Sequence, residues 1–299
     1  MDSDSMTTPK ISVVVNFFNM RREAQRTLYS LTGDYQRDID SDQVEVIAVD
    51  NGSTEPLDEK QVWRFGNDFR YLYHDTKSKS PAGALNRAVE QASADLLVCL
   101  IDGARILSPG ILAYTLKAAR AFENPFVYTL AMHIGLAIQN TSMAEGYDQR
   151  VEDVLLETTA WKENGYELFR ISSVAPSSGS GFFFDLAESN CVALRKSTFL
   201  QLGGFDERFQ SPGGGLLNLD FFNRAMERPD IKPVMLLGEA TFHQFHGGVA
   251  TNVLISEHPW QRFAEEYEAI KGRRYEKMVR PTHFLGHIPP QCRHLLGRP

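Results

Sequence analysis

Short apolar runs alternate with segments of helical spacing through the first half of the chain, and this alternation is what most constrains the fold. Runs rich in β-branched and aromatic residues predict strands that are covered on both faces of a sheet. The predicted strands of this half are Ile11–Phe18, Val44–Asp50, Phe69–Tyr73, Leu96–Ile101 and Phe126–Gly135. The predicted helices between them are Arg21–Leu31, Pro81–Ala92 and a helix that begins near Pro109. Such units predict an α/β fold with a mostly parallel sheet flanked by helices.

The second half of the chain is less regular. The weakly patterned segment Gln139–Asp185 carries a short predicted helix near Val151–Trp161 and a Ser/Gly-rich stretch at residues 177–181. A segment this long inside a compact domain predicts an inserted loop that acts as a lid or contacts an acceptor. Regular strand and helix patterns return at Cys191–Leu194, from Ser197, at Leu219–Met226 and at Val234–Leu237. We therefore expect a single domain with a long inserted loop.

Charge, hydropathy and cysteine usage exclude several classes of protein. The 299 residues carry a net charge of −7, which provides no electrostatic footprint for nucleic acid. No apolar run approaches the roughly 20 residues that a membrane span needs. The three cysteines lie far apart without a C-x-x-C spacing, which is typical of a reducing compartment rather than of a disulfide framework. We expect a cytoplasmic protein with no nucleic-acid partner and no membrane span.

Polar residues follow three of the predicted strands, at the point where each strand ends. They lie at Asn16–Asn19, Asp50–Thr54 and Asp102–Arg105. Ligands of an open parallel sheet bind outside the carboxyl ends of its strands, so these side chains form a candidate site. Asp also starts turns, and a purely local role for Asp50 stays open. Neither G-x-G-x-x-G nor G-x-x-x-x-G-K-[ST] occurs, which argues against dinucleotide oxidoreductases and P-loop nucleotide hydrolases.

Five segments, taken in order, resemble the GT-A glycosyltransferases, especially those of family 2. They are Ile11–Asn19, Val46–Thr54, Ala82–Ala88, Leu100–Pro109 and Gly203–Phe209. The resemblance covers Ile11–Gly248 and implies a Rossmann-like GT-A fold. It also implies an enzyme of polysaccharide biosynthesis, which moves a hexosyl group from a nucleoside-diphosphate sugar to a hydroxyl of a glycan or glycoconjugate.

The resemblance also assigns roles to parts of the chain. Residues 1–10 are expected to form a flexible N-terminus, 11–255 the GT-A domain and 256–299 a C-terminal helical extension. Within the domain, residues 11–135 would bind the nucleotide-sugar and 186–255 the acceptor. The residues implied to bind the nucleotide-sugar are Asn16, Phe18, Asp50, Asn86, Asp102 and Arg105. Of these, Asp50 would contact the base and Asp102 the ribose or the sugar.

The D-x-D motif of the family departs from its usual form in this chain. Its second carboxylate normally ligates Mg²⁺ or Mn²⁺, whereas Asp102–Ala104 reads D-G-A and alanine has no ligating atom. The resemblance implies Asp102 and His246 as metal ligands, with His243 as the alternative histidine. We therefore expect an incomplete divalent-cation site. Arg105, unless it lies on the surface, would offset diphosphate charge and make metal dependence weak.

The acceptor helix departs from the family pattern as well. Inverting members carry an E-D pair whose Asp acts as the base on the acceptor hydroxyl. The aligned residue is Asn218, and an amide cannot accept this proton. The stretch Asn218–Asp220 instead resembles G-G-E-N-x-E of the retaining polypeptide GalNAc-transferases. The implied catalytic residues are Asp220, Asn218 and Glu188, and inverting and retaining chemistry both stay open.

Two other functions are compatible with the same residues. A GT-A fold that lacks its metal and base carboxylates would be a catalytically silent module that binds a nucleotide or a glycan. A nucleotidyltransferase has a similar sheet, but it usually carries a Gly-rich basic loop after the first strand, and Asn16–Arg22 lacks the glycines. Binding without turnover would identify the silent module, and pyrophosphate release from a nucleoside triphosphate would identify the nucleotidyltransferase.

Overall fold

The computed structural model describes residues 10–179, 181–184 and 186–296. Its strands are β1 (Ile11–Phe17), β2 (Val44–Asp50), β3 (Phe69–Tyr73), β4 (Leu96–Leu100), β5 (Arg105–Leu107), β6 (Pro125–Ile134), β7 (Ser172–Val174), β8 (Cys191–Arg195), β9 (Lys232–His243) and β10 (His283–Gly286). Its α-helices are α1 (Arg21–Tyr29), α2 (Glu59–Trp63), α3 (Ala82–Gln91), α4 (Ile111–Ala121), α5 (Gln139–Ser142), α6 (Gln149–Glu157), α7 (Lys196–Gln201), α8 (Leu217–Met226) and α9 (Trp260–Lys271).

The strands form one sheet in the order β10-β9-β6-β8-β4-β1-β2-β3. β1 pairs in parallel with β2 and β4, and β6 with β9, whereas β8 runs antiparallel to both β4 and β6. β5 and β7 lie off this path and pair antiparallel with β9 and β6. The sheet is mostly parallel and flanked by helices, which confirms the predicted Rossmann-like α/β fold.

Alternate residues of each central strand face opposite layers of helices, because side chains of a strand alternate between its two faces. Val13 of β1 packs in one apolar core together with Leu28 of α1. Val14 packs in the other core, with Leu85 of α3 and Phe221 of α8. Full burial of such side chains contributes about 1.5–3 kcal/mol each. Both faces of the sheet are thus covered by apolar layers, and polar groups are left to its edges.

The register of the sheet brings three strand ends together. Phe17 of β1 pairs with Asp50 of β2, and Val15 of β1 pairs with Leu100 of β4. The segments that follow β1, β2 and β4 therefore leave the sheet at one edge, as the positions of the polar residues in the sequence predict.

β9 is much longer than the predicted strand Val234–Leu237, which forms only its first part. Gly238 interrupts the apolar run with a φ of +77°, and a Cβ at this position would lie 1.9 Å from the backbone oxygen of His287. Only glycine permits this approach. The strand then continues through Glu239 to His243, whose polar side chains hide it from hydropathy patterns.

Most of the segment Gln139–Asp185 is more regular than the sequence pattern predicts, and its action as a lid or in contact with an acceptor stays a prediction; Ser180 and Asp185 lie outside the described residues. α5 and α6 fall within it, and β7 extends the sheet beside β6. Trp161 is buried and makes edge-on contacts with the rings of Tyr29 and Tyr35 at centroid distances of 5.6 and 5.9 Å. Irregularly spaced aromatic residues, rather than a regular period, anchor the segment to the core.

The expected helical extension 256–299 also needs correction. It contains α9, but β10 follows and pairs in parallel with β9, so this part of the chain belongs to the same sheet. The expected flexible N-terminus, residues 1–10, lies outside the described residues except for Lys10. None of the helices among the described residues combines the length and the apolar character needed to cross a bilayer.

Candidate active site

Asp102 lies in the turn that follows β4. This turn is held from two neighbours, because the Ile101 backbone N–H donates to the Asn190 oxygen at 3.1 Å and Asn16 Nδ2 donates to the Ile101 oxygen at 3.2 Å. Asp102 Oδ1 accepts the Ala104 backbone N–H at 3.0 Å. The other carboxylate oxygen, Oδ2, therefore faces away from the turn and toward β9.

The rest of the D-G-A sequence is fixed by close packing. A Cβ on Gly103 would lie 2.3 Å from Phe17 Cδ1 and 2.5 Å from the Asn16 oxygen, so glycine is required here. Ala104 is fully buried in the apolar core that includes α1. A second carboxylate at position 104 would point into this core, where an unpaired charge is very costly. The absence of the second D-x-D carboxylate is thus built into the packing.

Two histidines at the end of β9 face Asp102. His243 Nε2 lies 3.0 Å and His246 Nε2 lies 3.7 Å from Asp102 Oδ2, and the two Nε2 atoms are 3.2 Å apart. Atoms that bind one ion at about 2.0–2.2 Å lie roughly 3–3.6 Å from one another. The separations of 3.0 and 3.2 Å fall in this range, and the 3.7 Å between His246 Nε2 and Asp102 Oδ2 is slightly longer, so a small movement of His246 would let the three atoms share an ion. Asp102, His243 and His246 could therefore hold a metal ion together, and His243 would supply the donor that Ala104 lacks.

The ionisation of this cluster suits a cation. Burial lowers the pKa of His243 to about 4, although Asp102 beside it acts in the opposite direction. Burial also opposes ionisation of Asp102, but His246 and His243 hold the pKa of its carboxyl well below the usual range. Against burial, Asp102 raises the pKa of His246. At neutral pH the cluster thus contains a carboxylate and a neutral imidazole at His243, which are ligand forms for a divalent metal.

Arg105, the first residue of β5, points into the site and not to solvent. Its side chain is 4% exposed, its Nε lies 3.7 Å from Asp102 Oδ2, and its Nη1 donates to Thr241 Oγ1 at 3.4 Å. β5 pairs with β9 so that Arg105 lies opposite His243. The same strand pair therefore brings a fixed positive charge beside the three side chains of the candidate metal site.

Asn16 and Asp50 lie at the same edge, but both are buried. Asp50 Oδ1 accepts the Ser53 backbone N–H at 2.9 Å, and Oδ2 accepts that of Leu57 at 2.8 Å. In this structure Asp50 holds the turn after β2, and its contact with a base stays a prediction. Phe18 is half-buried and directly follows β1.

Asn86 is held elsewhere, in a two-way bond with the backbone of Phe205. Its Nδ2 donates to the Phe205 oxygen and its Oδ1 accepts the Phe205 N–H, both at 2.9 Å. Both polar ends of the amide are used in tying α3 to the segment after α7. The geometry gives no support to nucleotide binding by Asn86.

Asp220 is also engaged within the fold. Its Oδ2 accepts from Arg224 Nε at 2.7 Å, and its Oδ1 lies 2.8 Å from Lys271 Nζ, which in turn lies 2.9 Å from Asp206 Oδ2. Both oxygens of this buried carboxylate therefore have cationic partners. A catalytic role for Asp220 stays a prediction that this ion-pair network does not support.

Glu188 and Asn218 lie closer to the Asp102 turn. Glu188 Oε1 accepts the backbone N–H groups of Ser189 and Asn190, each at 3.1 Å, and Oε2 accepts from Ser178 Oγ at 3.2 Å. Ser189 Oγ donates to the Asn218 oxygen at 2.7 Å. Because the Asn190 oxygen holds Ile101, hydrogen bonds link the start of α8 to the residue that precedes Asp102 of the candidate metal site.

Comparison with known proteins identifies the family of this chain. The model of the family described as "Glycosyltransferase like family 2" matches residues 12–248. The chain belongs to this family. No curated protein matches the family 2 chain.

Solved structures show the same fold. A crystal structure of S. aureus TarS residues 1–349 in complex with UDP-GlcNAc matches with a TM-score of 0.54 and 15% identity, over 87% of this chain and 66% of that one. Another of TarS 1–349 matches with a TM-score of 0.50 and 16% identity, over 79% and 60%. The family 2 chain thus spans about 60–66% of the length of these TarS structures and shares their GT-A fold.

Three side chains around the histidines were not identified from the sequence. Gln139 and Asn252 form hydrogen bonds around His243 and the backbone of His246, and Glu152 of α6 accepts the Phe245 backbone N–H at 2.6 Å. Gln139 lies in the segment that the sequence pattern assigns to a loop, and Glu152 lies in the short helix predicted within that segment. No local signal marks them, because their partners are distant in sequence and are brought near only by the pairing of β6 with β9.

Proposed function

We propose that this family 2 chain transfers a sugar from a nucleoside-diphosphate sugar to a hydroxyl of a glycan or glycoconjugate. The observation that carries the proposal is the convergence of Asp102, His243, His246 and Arg105 at the carboxyl edge of the sheet. A carboxylate, two imidazoles and a guanidinium at one point suit a ligand that brings phosphate oxygens together with a divalent cation. A nucleoside-diphosphate sugar is such a ligand, and family membership favours it.

The side chains of the site divide the work of bond cleavage. When the bond from the sugar to the diphosphate breaks, negative charge grows on the leaving oxygen and must be stabilised. Arg105 provides a positive charge that burial keeps in place, so it needs no reorganisation during the reaction. A divalent cation held by Asp102, His243 and His246 would supply Lewis-acid stabilisation of the same leaving group. The sequence predicts an activity that depends only weakly on metal. Because three donors meet in the structure, we expect instead an activity that needs a divalent cation.

The acceptor would lie between this cluster and the start of α8. Glu188 and Asn218 border this region through Ser189, but Glu188 is 2% exposed and its oxygens already accept several hydrogen bonds. The geometry therefore supports a positioning role for Glu188 at the acceptor side. The anomeric configuration of the product, read by NMR, decides between inverting and retaining chemistry.

Release of a nucleoside diphosphate tests the proposal without knowledge of the acceptor, since water can replace it. UDP-GlcNAc is the first donor to try because TarS was solved with it. Other UDP sugars and GDP sugars follow in a thermal-shift panel with and without Mn²⁺. We expect a donor that raises the melting temperature and is hydrolysed slowly. Asp102→Asn should lower the rate about 100-fold or more, whereas His294→Ala, at an exposed position, should leave it unchanged.

The outcomes separate the three candidate functions. Donor binding without any release of nucleoside diphosphate would identify the silent binding module. Pyrophosphate from a nucleoside triphosphate would identify a nucleotidyltransferase. Equal rates for the native chain and Asp102→Asn would mean that the observed activity does not come from this site.

A further inference from the structure

The loop that carries His246 is held by a single side-chain oxygen. The backbone N–H groups of His246, Gly247 and Gly248 all donate to Asn252 Oδ1, at 3.1, 2.9 and 2.9 Å. An N–H group can only donate, so the atom that they meet must be the oxygen of the Asn252 amide. The orientation of this amide is thereby fixed, and its Nδ2 is directed at Gln139 Oε1, 2.8 Å away.

The same reasoning fixes the amide of Gln139. Its Oε1 accepts from Asn252 Nδ2, and its Nε2 donates to the His243 backbone oxygen at 3.0 Å. Oε1 also lies 2.9 Å from His243 Nδ1. Because an amide oxygen only accepts, this contact is a hydrogen bond only when Nδ1 carries the proton. Asp102 Oδ2, 3.0 Å from Nε2, competes for the same proton when no cation lies between them. A neutral imidazole with its proton on Nδ1 has a lone pair on Nε2.

We propose that Gln139 and Asn252 are positioning residues of the metal centre, which impose the Nδ1–H form on His243 and aim the lone pair of its Nε2 at the cation. This inference rests on the proposed function, since it concerns the cation that Asp102, His243 and His246 would hold. Gln139 is fully buried and Asn252 is 7% exposed, so water does not compete for their hydrogen bonds.

The arrangement has two consequences for the ligands. Asn252 restrains the loop of His246 by binding the backbone N–H groups of that loop. Gln139 restrains His243 at two points, the ring atom Nδ1 and the backbone oxygen of His243. The two histidines are thus positioned by one connected pair of amides rather than separately. Partners of this kind fix the ring orientation of a ligating histidine, and their loss typically weakens metal binding 10–100-fold.

Two substitutions of Gln139 separate this role from simple packing. Gln139→Glu keeps an acceptor for His243 Nδ1 but places an oxygen where Nε2 donated to the His243 backbone. Gln139→Met keeps the volume and removes the acceptor. The proposal expects Gln139→Met to weaken Mn²⁺ binding about 10–100-fold and Gln139→Glu to retain it. A role limited to packing expects the opposite order, because an unpaired carboxylate is the more disruptive of the two.

Asn252→Asp provides an independent variant of nearly the same shape. Aspartate still accepts the three backbone N–H groups, but it presents an oxygen and not an N–H to Gln139 Oε1. If the Asn252–Gln139 hydrogen bond orients His243, this variant binds Mn²⁺ more weakly, whereas the added negative charge alone would strengthen the binding.

The measurement is EPR titration of the nucleotide-free chain with Mn²⁺ alone, supported by ¹⁵N spectra of labelled histidines in the metal-free chain. We expect His243 in the Nδ1–H form in the native chain and in Gln139→Glu, but not in Gln139→Met. Equal Mn²⁺ affinity for the native chain and Gln139→Met, or a native His243 protonated on Nε2, would overturn this inference and leave the transferase proposal intact. Failure of the native chain to bind Mn²⁺ would overturn the metal centre itself, and this inference with it.

Discussion

Replacing Glu239 with glutamine should remove a pH dependence of folding stability that the native chain carries near neutral pH. Glu239 lies on β9 and is fully buried. Its carboxylate accepts hydrogen bonds from Ser108 Oγ, from the Gly110 backbone N–H at 3.1 Å and from the Tyr166 hydroxyl at 2.7 Å. Burial raises the pKa of Glu239 from 4.5 to about 7, because these bonds only partly offset the loss of water.

The direction and size of the effect follow from this pKa. Between pH 4.5 and about 7 the folded chain holds the proton of Glu239 more tightly than the unfolded chain does. The free energy of unfolding therefore falls as the pH rises. At about 1.4 kcal/mol for each pKa unit, the whole difference corresponds to roughly 3 kcal/mol. This contribution is fully present below pH 4.5 and is lost as the pH rises through about 7.

Urea unfolding at about pH 5 and about pH 8 measures this contribution. Glutamine keeps an acceptor oxygen and cannot ionise. From about pH 5 to about pH 8 the native chain should therefore lose about 2–3 kcal/mol of unfolding free energy relative to Glu239→Gln. Glu163→Gln, at an exposed glutamate, should follow the native chain at both values. A native-to-Glu239→Gln difference that is the same at both pH values would refute the reasoning, because the buried acid would then be ionised throughout.

Four further predictions concern the site and its support. EDTA should abolish donor hydrolysis and Mn²⁺ should restore it, and activity that survives EDTA would contradict the metal-assisted proposal. Arg105→Met should weaken nucleoside-diphosphate binding by about 1.5–3 kcal/mol in a calorimetric titration. Gly103→Ala should destabilise the fold by at least about 1–3 kcal/mol, since its Cβ would meet Phe17, and unchanged thermal unfolding would contradict the packing argument. Trp161→Ala should cost about 3–5 kcal/mol in urea unfolding, and a loss below about 0.5 kcal/mol would favour a mobile lid.

The strands that a sequence pattern can predict are short runs rich in β-branched and aromatic residues, whether they lie inside the sheet, as β2 does, or at its edge, as β3 does. β2 and β3 have the predicted bounds, and the edge to which Asp102 belongs follows from strand ends alone. The later part of β9 could not be predicted in the same way. Its buried residues include Glu239, Thr241 and His243, which are satisfied by partners from other elements and therefore break the apolar pattern without breaking the strand.

The candidate site was predictable only in part for a similar reason. Asp102 and the histidines are marked by their types and by the motif around them, whereas the amides that orient the histidines are ordinary polar residues in ordinary segments. The burial of Ala104 and the ion pairs of Asp220 depend on contacts between distant segments. A sequence shows which residues can carry out the chemistry, but the pairing of β6 with β9 decides which of them meet.

The ion pair between Lys271 of α9 and Asp220 of α8 has a consequence for how this protein can be divided. The family match ends at residue 248, yet Lys271 lies beyond that point and neutralises a buried carboxylate of α8. β10 likewise covers the edge of β9, which would otherwise present unpaired backbone groups. The residues that match the family, 12–248, are therefore fewer than the residues that pack together in the fold. Trimming the chain to the family boundary would remove no residue of the candidate metal site, but it would take away Asn252, which holds the His246 loop, and the strand that covers β9.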